Sequence, residues 1–433
     1  MKTILSLLTS LIFFSQVADA NSFKVQRWQT ANGAKVVFYQ ALEVPMLDIN
    51  IAFAAGSAYD GPKFGLSSLT TNLLNQGNAG DDATVIAEKL ANIGAQYQGE
   101  SSRDMVVLSL KTLTTQEALK QAVGAFGLIL SQPDFPVEAF QREKNQQLLA
   151  IAQTQESPDD VANIIFFERL YKDHPYGHPV IGLEDTVKSL ELTDVRHFYK
   201  QYFVAANAVI VMVGAIDVEK AHQLAEQLTQ PLARGQAAPA IPKAPQLKAA
   251  DKITVDFPSS QTILRLGQVG IDHHSPDYFP LTVGNYILGG GALVSRLANE
   301  VREKRGLTYG VVSQFMPMPG YGPFLISLST VNQQAPTALK ITEDTLKQFI
   351  ADGPNEAELM AAKKYLTGSF PLSLSSNSSI ASMLLRIAFY NLPDDYLTTY
   401  VERINAVSTA EIKAAFQKQI NSTKMLLVSV GKL

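Results

Sequence analysis

Short apolar runs separated by amphipathic stretches recur along this chain in one order, twice. Residues 47–54 and 262–269 each read as an apolar strand, with Ile263, Leu264 and Leu266 marking the second. A helical segment follows each, from Gly65 and from Pro280. Next come two related stretches, AEKLANIGAQY (87–97) and NEVREKRGLTY (299–309). Each half then has another strand (106–110 and 324–329), a helix-rich region, and a closing strand ending in glycine, AVIVMVG at Gly214 and MLLVSVG at Gly431. A strand-and-helix order repeated at this long spacing predicts a duplicated α+β domain rather than a short-period solenoid. Between the repeats, residues 231–251 (PLARGQAAPAIPKAPQLKAAD) are rich in Pro and Ala and read as an extended linker. The predicted division is a first domain over 21–235, a linker over 236–251 and a second domain over 252–433.

The first twenty residues break this pattern. Lys2 gives a charged start, residues 4–17 are mostly apolar, and Ala18-Asp19-Ala20 is a small-x-small cleavage site, the layout of a secretory signal. The run is too short and too interrupted by Ser and Thr to span a membrane. An exported, periplasmic protein is expected. The chain has no cysteine, so an oxidising compartment adds no disulfide. Hydrophobic content of 46% and charged content of 18% describe an ordered globular chain. With a net charge of −4 and no dense Lys/Arg run, nucleic acid and anionic membrane are not expected partners.

In GLSSLTTNLLNQG (65–77), Leu66, Leu69 and Leu73 recur at helical spacing and give one buried face, with Gly77 expected to end the helix. Its setting, AGSAYD (55–60) followed by Gly65-Leu66, closely resembles the active-site segment of the pitrilysin, insulinase and mitochondrial-processing-peptidase superfamily. There, GSRxE and GLAH lead into the inverted zinc motif His-x-x-Glu-His. Residue by residue, that motif falls on Ser68, Leu69, Thr70, Thr71 and Asn72. The chemistry requires two imidazoles at i and i+4 and a carboxylate to deprotonate zinc-bound water. A serine, an asparagine amide and a threonine supply none of these. The family's third ligand, a glutamate, falls within residues 148–150 of FQREKNQQLLAI (140–151), where no carboxylate stands; Glu143 lies about two turns earlier. Of the six histidines, His174 and His178 sit in HPYGH, broken by Pro175 and Gly177, and His273-His274 in the loop DHHSPDY; none is expected to bind metal.

The second half keeps the family's other signature. LGGGALVSRLANEVREKRGLTYGV (288–311) resembles LGGGxxSRLxxxxREKRGLxY, in which an arginine and a tyrosine reach the substrate from the opposite half-shell. Here they are Arg302 and Tyr309. A guanidinium donates to a peptide carbonyl in fixed geometry, and a tyrosine hydroxyl stabilises a tetrahedral oxyanion. The stretch 97–102 resembles the family's edge strand, which pairs with an extended substrate by β-augmentation. Gln98-Gly99 replaces the usual Asn-Ala there, and the glycine is expected to weaken the strand.

The resemblance runs from Val25 to Gly431. It implies two α+β halves, each a mostly antiparallel sheet backed by helices, forming a clamshell. It also implies a chain that is inactive alone and carries no cofactor, with zinc only in a partner. The favoured function is the substrate-binding, non-catalytic subunit of a zinc endopeptidase complex. It would lend Arg302 and Tyr309 to a homologous chain bearing His-x-x-Glu-His, and its substrate would be a peptide or unfolded polypeptide. The alternatives are a peptide-binding or assembly scaffold with no peptidase activity, and a stand-alone peptidase with unorthodox ligands.

Overall fold

The computed structural model describes residues 23–432, so the expected signal peptide lies outside the described residues. The first half opens with strands β1 (Val25–Gln29), β2 (Lys35–Gln40) and β3 (Met46–Phe53) and helix α1 (Leu66–Leu73). A short strand pair, β4 (Gly77–Asn78) and β5 (Asp81–Asp82), leads to helix α2 (Ala83–Ala91) and strands β6 (Gln96–Ser101) and β7 (Val106–Leu113). Helices α3 (Gln116–Ser131), α4 (Val137–Thr154), α5 (Pro158–Tyr171), α6 (Glu184–Ser189) and α7 (Leu192–Tyr202) follow, then strand β8 (Ala208–Gly214) and helix α8 (Val218–Thr229).

The second half runs β9 (Asp251–Val255), β10 (Gln261–Val269), α9 (Tyr278–Asn285), β11 (Val311–Phe315) and β12 (Pro323–Val331). It continues with α10 (Ala335–Asp352), α11 (Glu356–Ser369), α12 (Asn377–Phe389), α13 (Tyr396–Ala406) and α14 (Thr409–Gln419), and closes on β13 (Leu426–Val430). Among the described residues no helix is long and apolar enough to cross a membrane.

The sheet orders establish the duplication. The first sheet is β1-β2-β8-β3-β7-β6 and the second is β11-β12-β10-β13-β9. Read from the opposite end, the first becomes β6-β7-β3-β8-β2 with β1 added, strand for strand the order of the second. Each sheet has one parallel pair, β2 with β8 and β13 with β9, and is otherwise antiparallel. The fold is α+β, as the repeat predicts. Gly77, however, does not end α1. The helix stops at Leu73, and Gly77 pairs with Asp82 in the β4–β5 ladder. A Cβ there would lie 2.7 Å from Pro136 Cγ, so close approach rather than capping requires glycine.

The central strands of each sheet are buried on both faces, which is why the closing strands read as unbroken apolar runs. On β8, Ile210 and Met212 join the first half's own core with Leu47, Ile49, Ile51, Leu69 and Phe126. Their alternates Val209, Val211 and Val213 instead meet Ile380, Ala381, Leu384 and Leu385 of α12, a second-half helix. The reverse holds at the second sheet. On its outer face, Leu264, Leu266, Phe324 and Ile326 pack with Phe349 and Phe416. On its inner face, Ile263, Leu426, Val428 and Val430 take Val161, Ala162, Phe166 and Leu170 of α5. The halves have exchanged a helix each. Polar pairs fix both exchanges: Ser378 Oγ donates to buried Asp48 at 2.7 Å, and buried Arg265 donates to Asp159 at 2.6 Å.

Residues 230–250 contain no helix or strand and cross from one half to the other as a strap. Its backbone is held along the way. Ala205 N–H donates to Ala233 O, Ala238 N–H to the Asn207 side chain, and Ala244 N–H to Gly320 O.

Candidate functional site

Helix α1 starts from Gly65, whose φ of 94° lies in the left-handed region. Asp60 accepts from the N–H groups of Gly65 (2.7 Å) and Ser67 (2.8 Å), satisfying donors that a helix start leaves free. Burial dominates over these N–H groups and pushes the Asp60 pKa up to about 8. Ser67 Oγ lies 2.6 Å from Ala55 O and 2.7 Å from Ser101 Oγ, tying the helix to strand β6. Gln147 of α4 donates to Gly65 O (3.0 Å) and Ile181 O (2.8 Å), fixing α4 against the same helix start. Sequence reasoning did not single out Asp60 or Gln147, although Asp60 stands where the resembling segment carries its acidic residue.

On this frame the positions that the resemblance assigns to the motif lie close together on α1. Ser68 and Asn72 share one helical face, Ser68 buried and Asn72 exposed. Thr71 is buried and donates its hydroxyl to Ser67 O at 2.8 Å, one turn back. On α4, Leu148 and Ala150 are half-buried and Leu149 is exposed, while buried Glu143 pairs with its neighbour Arg142 at 3.3 Å. Two hydroxyls, an amide and aliphatic side chains do not fit zinc, which takes imidazole, thiolate or carboxylate. Among the described residues no group of three or more His, Cys, Asp or Glu side chains is placed to hold a metal ion.

Strand β6 lies at the edge of its sheet, paired only with β7. It stays regular through Gly99. Gly99 faces α1: a Cβ there would come within 3.3 Å of Thr71 Cγ2 and 3.0 Å of the Tyr97 hydroxyl. Gln98, one residue away, is exposed on the opposite face. The structure therefore gathers Ser68, Thr71, Asn72 and Gly99 at the junction of α1 and β6, with Gln98 turned away.

Arg302 and Tyr309 form a separate group. Arg302 lies on a π-helical turn, Ala298–Glu303, and its side chain is about one-third exposed, with Glu303 the nearest acid at 3.5 Å. Gly306, at φ 61°, turns the chain, and Thr308 anchors the loop by donating to Ser329 O at 2.6 Å. Tyr309 is left 86% exposed. Both side chains line one groove of about 420 Å³ with Gln261, Ser329, Val331 and Gln334, all second-half residues. The repeat puts Tyr97 at the matching place in the first half. There the ring packs on Phe126 and its hydroxyl is buried without a partner.

Both halves of the chain match known families. The family model described as insulinase (peptidase family M16) matches residues 36–184, and the one described as peptidase M16 inactive domain matches residues 189–366. The chain is 26% identical over 417 residues to a Helicobacter pylori protein named non-peptidase homolog YmxG, covering 93% of this chain and 94% of that one. It is 26% identical over 356 residues to a Bacillus subtilis protein named uncharacterized zinc protease YmxG, covering 82% and 86%. A crystal structure of a peptidase M16 inactive domain from Pseudomonas fluorescens superposes with a TM-score of 0.92 at 38% identity, over 95% of this chain and 98% of that one. On these matches the chain belongs to the insulinase (peptidase M16) family as a non-catalytic member.

Proposed function

We propose that this chain is the substrate-binding subunit of a heteromeric, periplasmic zinc peptidase, exported by its first twenty residues. In this reading it lends Arg302 and Tyr309 to a homologous partner that holds the zinc. The observation that carries the proposal is the state of Tyr309. It is the most exposed of the large hydrophobic side chains on the described surface, and it lines a groove with Arg302 that contains no residue of the first half. A tyrosine kept in that position has no packing role in its own chain. Helix α12 covers one face of the first sheet and α5 one face of the second; in this reading the substrate chamber lies between this chain and its partner. The open edge of β6 adds a place for an extended peptide, whose backbone would pair there irrespective of Gln98.

In the complex, Arg302 would hold the substrate backbone and the Tyr309 hydroxyl would donate to the oxyanion. The test is to mix this chain with a homologue carrying His-x-x-Glu-His and assay peptide cleavage. Activity absent from either chain alone is expected. Arg302→Ala or Tyr309→Phe should lower kcat about 10²- to 10³-fold with assembly and melting temperature intact. Full activity of the zinc-bearing chain without this one would remove the proposal. Complex formation with no effect of either substitution would leave a peptide-binding or assembly scaffold.

A further inference from the structure

Three of the six histidines lie along the joint between the halves. His174 comes from the HPYGH loop of the first half, and His273 and His274 from the DHHS loop of the second. A chain of hydrogen bonds and one ring stack links them. His174 Nε2 lies 2.8 Å from Pro242 O of the strap, and its Nδ1 accepts from Tyr176 N–H at 3.2 Å. The Tyr176 hydroxyl donates to Asp104 at 2.6 Å, and Tyr390 donates to the other carboxylate oxygen at 3.0 Å. The Tyr390 ring stacks on His273 with centroids 3.9 Å apart, and its carbonyl lies 2.9 Å from His274 Nε2. None of these residues belongs to the Arg302 groove or the α1–β6 junction.

We propose that this joint is acid-sensitive: the neutral His174 ring ties the first half to the strap, the neutral His273 ring seats Tyr390, whose hydroxyl crosses to Asp104, and protonating either ring loosens the contact. The geometry at His174 requires it. Only a neutral ring with its proton on Nε2 both donates to Pro242 O and accepts from Tyr176 N–H; a second proton on Nδ1 would face that N–H. At His273 the buried Nδ1 has no hydrogen-bond partner, so a proton added there would be buried unsatisfied.

The surroundings act in the same direction. Burial lowers the His273 pKa to about 3, helped by Arg386 and then His274. Burial also lowers His174, against the pull of the Pro242 carbonyl. The rings of Tyr171 and Tyr176 face His174, and Glu168, Lys172 and Asp173 line the recess beside it. On the His273 side, Lys35, Asp104, Lys243 and Asp272 line a cleft of about 470 Å³.

The sign follows from linkage. A histidine whose folded pKa is depressed contributes stability that is present above about pH 6.5, its value in the unfolded chain, and is lost as pH falls. Asp104 runs the other way, because burial raises its pKa and acid relieves the cost of its charge. Comparison with non-titrating variants separates the two. His273→Phe keeps the stack on Tyr390, and His174→Asn keeps an acceptor for Tyr176 N–H. Urea midpoints of the full chain are to be measured from pH 7.5 to 4.5. For each histidine held neutral, the wild-type unfolding constant should rise up to about tenfold more per pH unit below 6.5 than in the matching variant. Imidazole NMR of the wild type gives the second reading, with His273 expected not to titrate above pH 5. Parallel pH profiles in wild type and both variants, or a His273 signal titrating like an exposed imidazole, would overturn the proposal. If a variant does not fold, the wild-type NMR titration decides.

Discussion

At Gly65 two demands coincide that are separable by mutation. Its φ of 94° strains any L side chain, and a Cβ there would also lie 2.7 Å from both Gln147 Nε2 and Ile181 O. Gly33 has a similar φ of 102° with nothing within 4 Å. Gly33→Ala should therefore show strain alone, about 1–2 kcal/mol, and Gly65→Ala clearly more, as urea-midpoint shifts. The neighbouring Asp60 gives a pH signature. Its raised pKa means that the folded chain holds a proton the unfolded chain releases. Its stabilising contribution is complete below about pH 4 and drains away as pH climbs toward 8. Asp60→Asn should flatten that part of the profile, and identical profiles would show the carboxylate ionised throughout. Tyr309→Phe, by contrast, should leave the melting temperature unchanged, because an 86% exposed ring contributes little to packing.

Among the elements, α12 belongs by sequence to the second half and by packing to the first sheet. Leu384→Ala should cost about 2–5 kcal/mol, comparable to a cavity in either central core, although the residue lies outside both. A loss below 1 kcal/mol would mean that the exchange is loosely packed. This exchange is the part of the fold that the chain's patterning hides. Periodicity found β3, β10, β7, β12 and the closing strands because each carries its own apolar run, and the tandem order exposed the duplication. Helical periodicity says that α5 and α12 bury a face but not which sheet receives it, since the partner lies hundreds of residues away. The site shows the same division. Motif spacing located Ser68, Thr71, Asn72, Arg302 and Tyr309. Nothing in it told which of Gln98 and Gly99 faces α1, or that the matched tyrosines Tyr97 and Tyr309 differ so sharply in exposure, because both facts arise from packing against neighbouring elements.

Across the whole molecule, the reciprocal exchange makes each half the other's missing layer. A first half made alone, ending at residue 235, should expose Val209, Val211 and Val213 on an uncovered sheet face and aggregate, whereas co-expression with residues 236–433 should recover a soluble pair. Independent solubility of either half, by gel filtration, would contradict this. The exchange also sets a timetable for biosynthesis. The contact between Ser378 and Asp48 spans 330 positions, so a growing chain has finished its first sheet long before the helix that covers it has been made. That sheet must wait, apolar face bare, until α12 has been made. A chain of this design leans on a holding chaperone or on delayed collapse, and its yield is set less by how stable the finished protein is than by how long its first half survives unaccompanied.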